Sequence, residues 1–272
     1  MTKYDLHQKR VIVSGASSGI GRELARRLCE EYSCRVVGIG RNEERLSAFR
    51  NSLKNKELFA YKLFDVSVRE NWENFAAELE KEGFIPDMVI NNAGFLLPFA
   101  RAEFHSAEDA ENILSTNSLS CVYSFSALLP LLRRSPAPAF VNVSSASALA
   151  PVVGTALYSA SKSAVKGFTE CLALDYRGEI YVAGVYPGFT KTDIFSRQKR
   201  KTENTLVEKL CLPTDKAVKR ILKKLKRGKT RIVTGADAKA MSFFYRLFPN
   251  LTGKAIRAVL KKSGLEIFKD VF

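Results

Sequence analysis

The chain runs to 272 residues, 46% hydrophobic and 26% charged, which is enough for one large buried core and too ordinary for a disordered or fibrous protein. Its formal net charge of +15 is unevenly placed: residues 1–190 hold 21 Lys+Arg against 21 Asp+Glu, while residues 191–272 hold 22 against 7, so an anionic partner is expected for the C-terminal part. The opening residues lack the apolar stretch of a signal peptide and no run reaches the ~20 apolar residues of a membrane span, so a cytoplasmic chain is expected, peripheral at a membrane surface if its basic end binds lipid.

From the N-terminus, the run Arg-Val-Ile-Val-Ser at residues 10–14 is apolar and β-branched, the pattern of a buried parallel strand. Gly15-Ala16-Ser17-Ser18-Gly19-Ile20-Gly21 follows at once. Ile20, Leu24 and Leu28 then recur at helical spacing, with Arg22, Glu23, Arg26 and Arg27 outside. A glycine-rich turn between a strand and a helix N-terminus offers backbone N–H groups and the positive end of the helix dipole to a phosphate. The alternative is a tight turn that holds nothing. The second strand, residues 35–39, ends in Gly40-Arg41-Asn42, and Glu43 and Glu44 read as first-turn helix residues. Strand-like runs recur near residues 58–64, 87–91, 139–143, 180–186 and 230–234, alternating with helical patterns. That alternation predicts an α/β fold, a single doubly wound parallel sheet covered on both faces.

The chemistry concentrates after the fifth run. Ser145 precedes Tyr158 by thirteen residues, and Lys162 follows the tyrosine by four. On a helix, Tyr158 and Lys162 share a face. A nearby ammonium favours phenolate and lowers a pKa that starts near ~10, which makes Tyr158 a candidate general acid or base. Ser144 is the neighbouring alternative to Ser145, and a strand-end cap is the purely structural role for either. Five scattered cysteines and two histidines offer no plausible zinc ligand set. No Gly-x-Ser-x-Gly is present, which argues against a serine hydrolase.

Taken in order, these motifs resemble the short-chain dehydrogenase/reductase family over about residues 8–235. Gly15, Gly19 and Gly21 match the family's cofactor loop, with Ser14 in place of its usual threonine. Asp65-Val66, Asn91-Asn92-Ala93-Gly94 and Pro187-Gly188 with Thr190 and Thr192 match three further elements. The resemblance implies a Rossmann domain at 1–235 with a substrate lid at 188–212. It implies a catalytic tetrad of Asn117, Ser145, Tyr158 and Lys162, in which Asn117 holds a water, Ser145 steadies the carbonyl oxygen, and Lys162 binds ribose and lowers the Tyr158 pKa. The implied cofactor contacts are Gly15, Ser17, Ser18, Gly19, Ile20, Gly21, Arg41, Asp65, Val66, Asn92, Ala93, Gly94, Tyr158, Lys162, Pro187, Gly188, Thr190 and Thr192. An NAD-preferring site places an acidic residue where Gly40 stands; here Arg41 follows, with no carboxylate to repel a 2′-phosphate, so NADP(H) is expected. The substrate segments of the family place Phe95, Leu97, Ser147, Val153, Phe189 and Phe195 in an apolar pocket, which suits a hydrophobic ketone or secondary alcohol, possessing an anionic group in some cases: hydroxysteroids such as bile acids, lipid ketones or acyl thioesters. A homo-oligomer is implied through helices near 107–134 and 156–177. The competing reading is the same fold kept for cofactor sensing or membrane docking.

Beyond the last strand, residues 236–272 read as a basic amphipathic helical extension. Met241, Phe244, Tyr245 and Phe248 form one apolar stripe and Ile256, Val259 and Leu260 another, accompanied by Lys239, Arg246, Lys254, Arg257, Lys261 and Lys262. Three roles fit: packing on the domain or over a substrate cleft, lying on an anionic membrane, or, least, binding nucleic acid. No nucleic-acid motif accompanies the last.

Overall fold

The computed structural model describes residues 3–192, 194, 211–262 and 268–272. β1 (Arg10–Ser14) leads into α1 (Gly19–Tyr32), β2 (Arg35–Gly40) into α2 (Glu43–Ser52), and β3 (Phe59–Leu63) into α3 (Arg69–Lys81). β4 (Met88–Asn91) is followed by α4 (Ala107–Leu114), a π-helical turn (Ser115–Leu119) and α5 (Ser120–Leu132); β5 (Ala139–Val143) is followed by α6 (Ala156–Asp175). β6 (Tyr181–Pro187), the short pair β7 (Thr190–Lys191) and β8 (Leu212–Pro213), α7 (Thr214–Lys226) and β9 (Arg231–Thr234) complete the sheet region. Two helices, α8 (Ala236–Leu247) and α9 (Pro249–Lys262), follow it.

All seven strand-like runs join one sheet in the order β3-β2-β1-β4-β5-β6-β9, every pair parallel. Successive strand residues face opposite sides, so β1 sends Val11 and Val13 into one core and Ile12 into the other. The first core packs Leu24 and Leu28 of α1, Phe49 of α2 and Val218, Ile221 and Leu222 of α7. The second packs Trp72 and Phe75 of α3, Leu128 of α5 and Leu172 of α6. The chain reverses direction across the sheet between β1 and β4. The crevice beyond the carboxyl ends of strands at such a reversal is where this architecture holds ligands.

The β7–β8 pair joins Thr190 with Leu212 and Lys191 with Pro213. Most of the segment expected to form the lid, Phe195 included, lies outside the described residues. The C-terminal extension does not hang free. Phe268 and Val271 return to a cluster with Leu96, Phe99, Ile113 and Tyr158. No helix among the described residues is long and apolar enough to cross a membrane.

Candidate active site

The glycine loop is built by close approach. Gly15 and Gly19 hold φ of 68° and 53°, a left-handed backbone that residues with a Cβ rarely adopt. A Cβ on Gly21 would lie 2.3 Å from the Gly15 carbonyl oxygen, so α1 can start against the loop only through a glycine there. Gly21 thus acts beneath the loop and does not itself line the cleft, a correction to its place among the contacts. Ser14 Oγ accepts from the N–H groups of Asn92 and Ala93, each at 3.0 Å, and the Asn92 amide donates back to the Ser14 carbonyl. The serine hydroxyl alone joins loop and β4 end, so the missing threonine methyl is not needed for this link.

A cleft of about 410 Å³ runs across these strand ends. Arg41, Asp65 and Val66 line one end. Ser17, Ser18, Gly19, Ile20, Asn92, Ala93 and Gly94 line its middle, and Ser145, Tyr158, Lys162, Pro187, Gly188, Thr190 and Thr192 line the other end. Thr192 reaches over the glycine loop, since a Cβ on Gly19 would come within 3.2 Å of its side chain. A Cβ on Gly94 would sit 3.1 Å from Lys162 Nζ. Bare backbone along the floor, a helix N-terminus in the middle and a cation at the far end fit an extended dinucleotide.

At the Arg41 end the structure corrects one expectation. β2 and β3 pair in register, Gly40 with Leu63, so the residues beyond them lie side by side. Asp65 therefore stands 3.0 Å from the Arg41 guanidinium, and a carboxylate is present after all. It accepts from the backbone and hydroxyl of Ser67 as well, and these bonds with the Arg41 charge outweigh desolvation to hold its pKa below the usual carboxylate range. Arg45, in the first turn of α2, lines the same end. Sequence reasoning missed it, although it follows Glu43 and Glu44 directly in the predicted helix.

The four tetrad positions meet at the other end, held by three elements: the π-helical turn, the 3-10 turn after β5, and α6, which carries both Tyr158 and Lys162. The π-helical turn presents Asn117, whose Oδ1 accepts from Phe95 N at 2.9 Å while Nδ2 donates to Phe95 O and Ser161 Oγ. Its side chain clamps the backbone just after Gly94. Ser145 caps a short 3-10 turn, accepting from Ser147 N, and lines the cleft together with Tyr158. Ser144 is committed elsewhere: its hydroxyl donates to the Lys162 carbonyl at 2.7 Å. Lys162 Nζ donates to Val143 O at 3.1 Å and lies 6.0 Å from the Tyr158 ring centre.

Electrostatics there run opposite to the simple expectation that Lys162 lowers the Tyr158 pKa. Burial pushes the Tyr158 phenol up to about 12, with the Ser145 side chain opposing. Burial likewise brings the Lys162 ammonium down to about 8. The lysine turns toward the strand end, and desolvation of both groups dominates their mutual effect. Burial also pushes Cys29 up to about 12 and Cys34 and Cys121 to about 11, which marks them as unreactive thiols.

Of the expected substrate contacts, Phe95, Ser147 and Phe189 line the cleft. Ser147 Oγ is buried with no hydrogen-bond partner, a donor facing the place where a ligand would sit. Leu97 and Val153 do not line the cleft; they pack against the Leu96, Phe99, Ile113 and Phe268 cluster. Leu96, Phe99, Val152, Thr155 and Ile194 supply wall in their stead. The wall also includes Asp237 and Met241 from α8, which nothing before the last strand foretold. Asp237 accepts from Phe189 N at 2.8 Å and so pins the backbone just after Gly188.

A long cleft over a glycine-rich turn, ending at Ser145 and the buried Tyr158 and Lys162, defines a nicotinamide-dependent oxidoreductase. The family model described as short chain dehydrogenase matches residues 9–203. The chain is 31% identical over 195 residues to the NADP-dependent 3-hydroxy acid dehydrogenase YdfG of Salmonella typhi, covering 71% of this chain and 77% of that one. It is 30% identical over 210 residues to the 3beta-hydroxysteroid dehydrogenase of Mediterraneibacter gnavus, covering 76% and 75%. In fold it is similar to a short chain dehydrogenase/reductase of Burkholderia phymatum solved in complex with NAD, with a TM-score of 0.79, 22% identity and coverage of 91% and 96%. The chain belongs to the short-chain dehydrogenase/reductase family, whose members are enzymes acting on hydroxyl groups with a nicotinamide cofactor.

Proposed function

We propose that the protein is an NADP(H)-dependent oxidoreductase that interconverts a hydrophobic ketone and a secondary alcohol, of the hydroxysteroid, bile-acid or lipid-like class. The observation that carries this reading is the meeting of Tyr158, Ser145 and Lys162 with an apolar wall of Leu96, Phe99, Val152, Ile194 and Met241. Arg41 and Arg45 at the far end favour the 2′-phosphate of NADP(H). The name of the Salmonella relative carries the same cofactor, and the two relatives' names carry two hydroxylated substrate classes.

The chain's own residues divide the work as follows. Bound nicotinamide supplies or accepts the hydride. The glycine loop, Asn92–Gly94 and Thr192 would hold the dinucleotide that carries it. Tyr158, protonated at neutral pH because burial favours the phenol, donates a proton to the carbonyl oxygen as charge develops there. Ser145 donates to the same oxygen and stabilises that charge. Lys162, charged below about pH 8, offsets the phenolate left on Tyr158. Asn117 keeps the Phe95 backbone in place, so the cleft floor does not shift during the reaction.

The test follows NADPH absorbance with oxo-steroids and oxo-bile acids, lipid ketones, acyl thioesters and small ketones. Turnover concentrated on large apolar carbonyls is the expected result. No turnover with any of them despite NADPH binding would sink this reading in favour of a sensing or docking role. A second expectation concerns Arg41. Arg41→Ala removes one charge-assisted bond to phosphate, so kcat/KM with NADPH should fall about tenfold while that with NADH stays nearly constant. Equal losses with both cofactors would remove Arg41 from the discrimination.

The cytoplasm is the proposed location, with peripheral membrane contact through the basic extension. The proposed assembly is a homo-oligomer. Leu114, Leu119 and Leu174 stand exposed on the helices α4 to α6, the last at 74%. A monomeric mass by light scattering would contradict the oligomer.

A further inference from the structure

The corner between α8 and α9 gathers the densest run of exposed large apolar side chains among the described residues. Phe243, Phe244 and Leu247 on α8, Phe248 at its end and Leu251 at the start of α9 are all exposed, from 52% to 66%. The rings of Phe243 and Phe244 meet edge to face at 5.5 Å and leave their outer faces bare. A single exposed leucine is ordinary; five large apolar side chains within nine residues mark a surface that has a partner. Lys239, Arg246 and Lys254 surround the corner and are exposed, and residues 238–254 contain no acidic side chain. Asp237, the one acid of α8, is turned inward to Phe189 N.

Apolar side chains ringed by cations suit an anionic lipid surface, where rings and leucines enter the acyl boundary and the cations meet headgroups. A second copy paired through the same corner would bring like charges together, because a two-fold interface sets a patch against itself. A nucleic acid would use the rings for stacking but gain nothing from Leu247 and Leu251.

The same helix reaches the cleft. Met241 lines it, one helical turn before Phe244 and Tyr245, and Asp237 pins the backbone just after Gly188 one turn earlier. We propose that the α8–α9 corner inserts into the headgroup region of an anionic lipid bilayer and thereby sets the rim of the substrate cleft at the membrane surface. A hydrophobic ketone or alcohol dissolved in the bilayer then reaches Tyr158 without passing through bulk water. This second half rests on the hydrophobic-substrate reading; the docking itself does not.

The experiment uses the full chain and sedimentation with vesicles of phosphatidylcholine alone or mixed with phosphatidylglycerol. The protein should pellet with the mixed vesicles and stay largely in solution with the neutral ones. The double substitution Phe243→Ser with Phe248→Ser should weaken binding at least about tenfold. Lys254→Gln should weaken it about fivefold, as for one basic residue near an anionic surface. NADPH turnover with a small water-soluble ketone should be the same in every variant, which shows that they fold. With a long-chain ketone carried in the mixed vesicles, the wild-type rate should exceed that of the double variant.

Docking is overturned if wild type ignores anionic vesicles, or if the double variant pellets as well as wild type. It is overturned equally if a single-stranded oligonucleotide binds through Phe243 and Phe248 and vesicles do not, or if the double variant loses an oligomer that wild type forms. Vesicle binding without faster turnover of the vesicle-borne ketone overturns the placement of the cleft at the surface. Vesicle binding with no reductase activity on any ketone upholds docking and sinks the substrate reading, so the two failures are distinguishable.

Discussion

Replacing Tyr158 with phenylalanine should lower kcat for carbonyl reduction by about 10²–10⁴-fold, the range that positioned general acid catalysis contributes. The argument is geometric first. Tyr158 is buried at the end of the cleft, which Ser145 and Lys162 also line. It is then electrostatic. Burial raises the phenol to about 12, so at pH 7 it holds its proton and can give it up only as charge appears on the substrate oxygen. The ring stays in Tyr158→Phe, and its packing with Leu96, Phe99 and Phe268 stays with it. NADPH binding, read by fluorescence, should therefore change little. A variant that keeps a tenth or more of the wild-type kcat would remove Tyr158 from the acid role, an approximate threshold set by the lower end of that range.

Lys162→Met should produce the opposite pair of effects: a nearly inactive protein that is more stable than wild type at neutral pH. Lys162 is buried, and its pKa falls from 10.5 to about 8. Because the folded value lies below the unfolded one, the charged form is disfavoured by folding. The penalty is present in full below about pH 8 and is lost as pH rises toward 10.5, so stability from this group increases with pH across that window. A shift of this size corresponds to about 3 kcal/mol. Losing the hydrogen bond to Val143 O takes back about 1 kcal/mol, which leaves a gain of about 2 kcal/mol for the substitution. Thermal unfolding at pH 7 and again near pH 10 checks this. The difference between variant and wild type should shrink at the higher pH. A destabilised variant at pH 7 would mean that the ammonium is better solvated or paired than its surroundings indicate. The same titration appears in catalysis. Reduction by wild type should fall as pH rises through about 8, where Lys162 loses the charge that offsets the Tyr158 phenolate. Active sites commonly hold such groups at the expense of stability.

Much of this site was legible in the chain because it is written locally. The glycine loop, Asn91 to Gly94 and the Tyr158–Lys162 pair are short segments whose chemistry depends on residues within four positions of each other. Seven strand-like runs alternating with helices allow essentially one layered arrangement, a parallel sheet with helices on both faces. The Ser145 assignment shows where local reading stops. Spacing favoured it over Ser144, and the structure adds a physical reason, since the Ser144 hydroxyl is spent on the Lys162 carbonyl.

The sequence by itself determined the sheet, the glycine-rich turn from β1 into α1 and the placing of Tyr158 and Lys162 on one helix, because hydrophobic periodicity and backbone geometry at glycine act over a few residues. Only the tertiary structure decided what depends on distance between remote segments. It placed Asp65 against Arg41 through the β2–β3 register. It buried Tyr158 and Lys162 deeply enough for desolvation to outweigh their mutual attraction. It moved Leu97 and Val153 out of the cleft and brought Asp237 and Met241 in. Burial and long-range packing are properties of the folded chain as a whole, and no window of the sequence contains them.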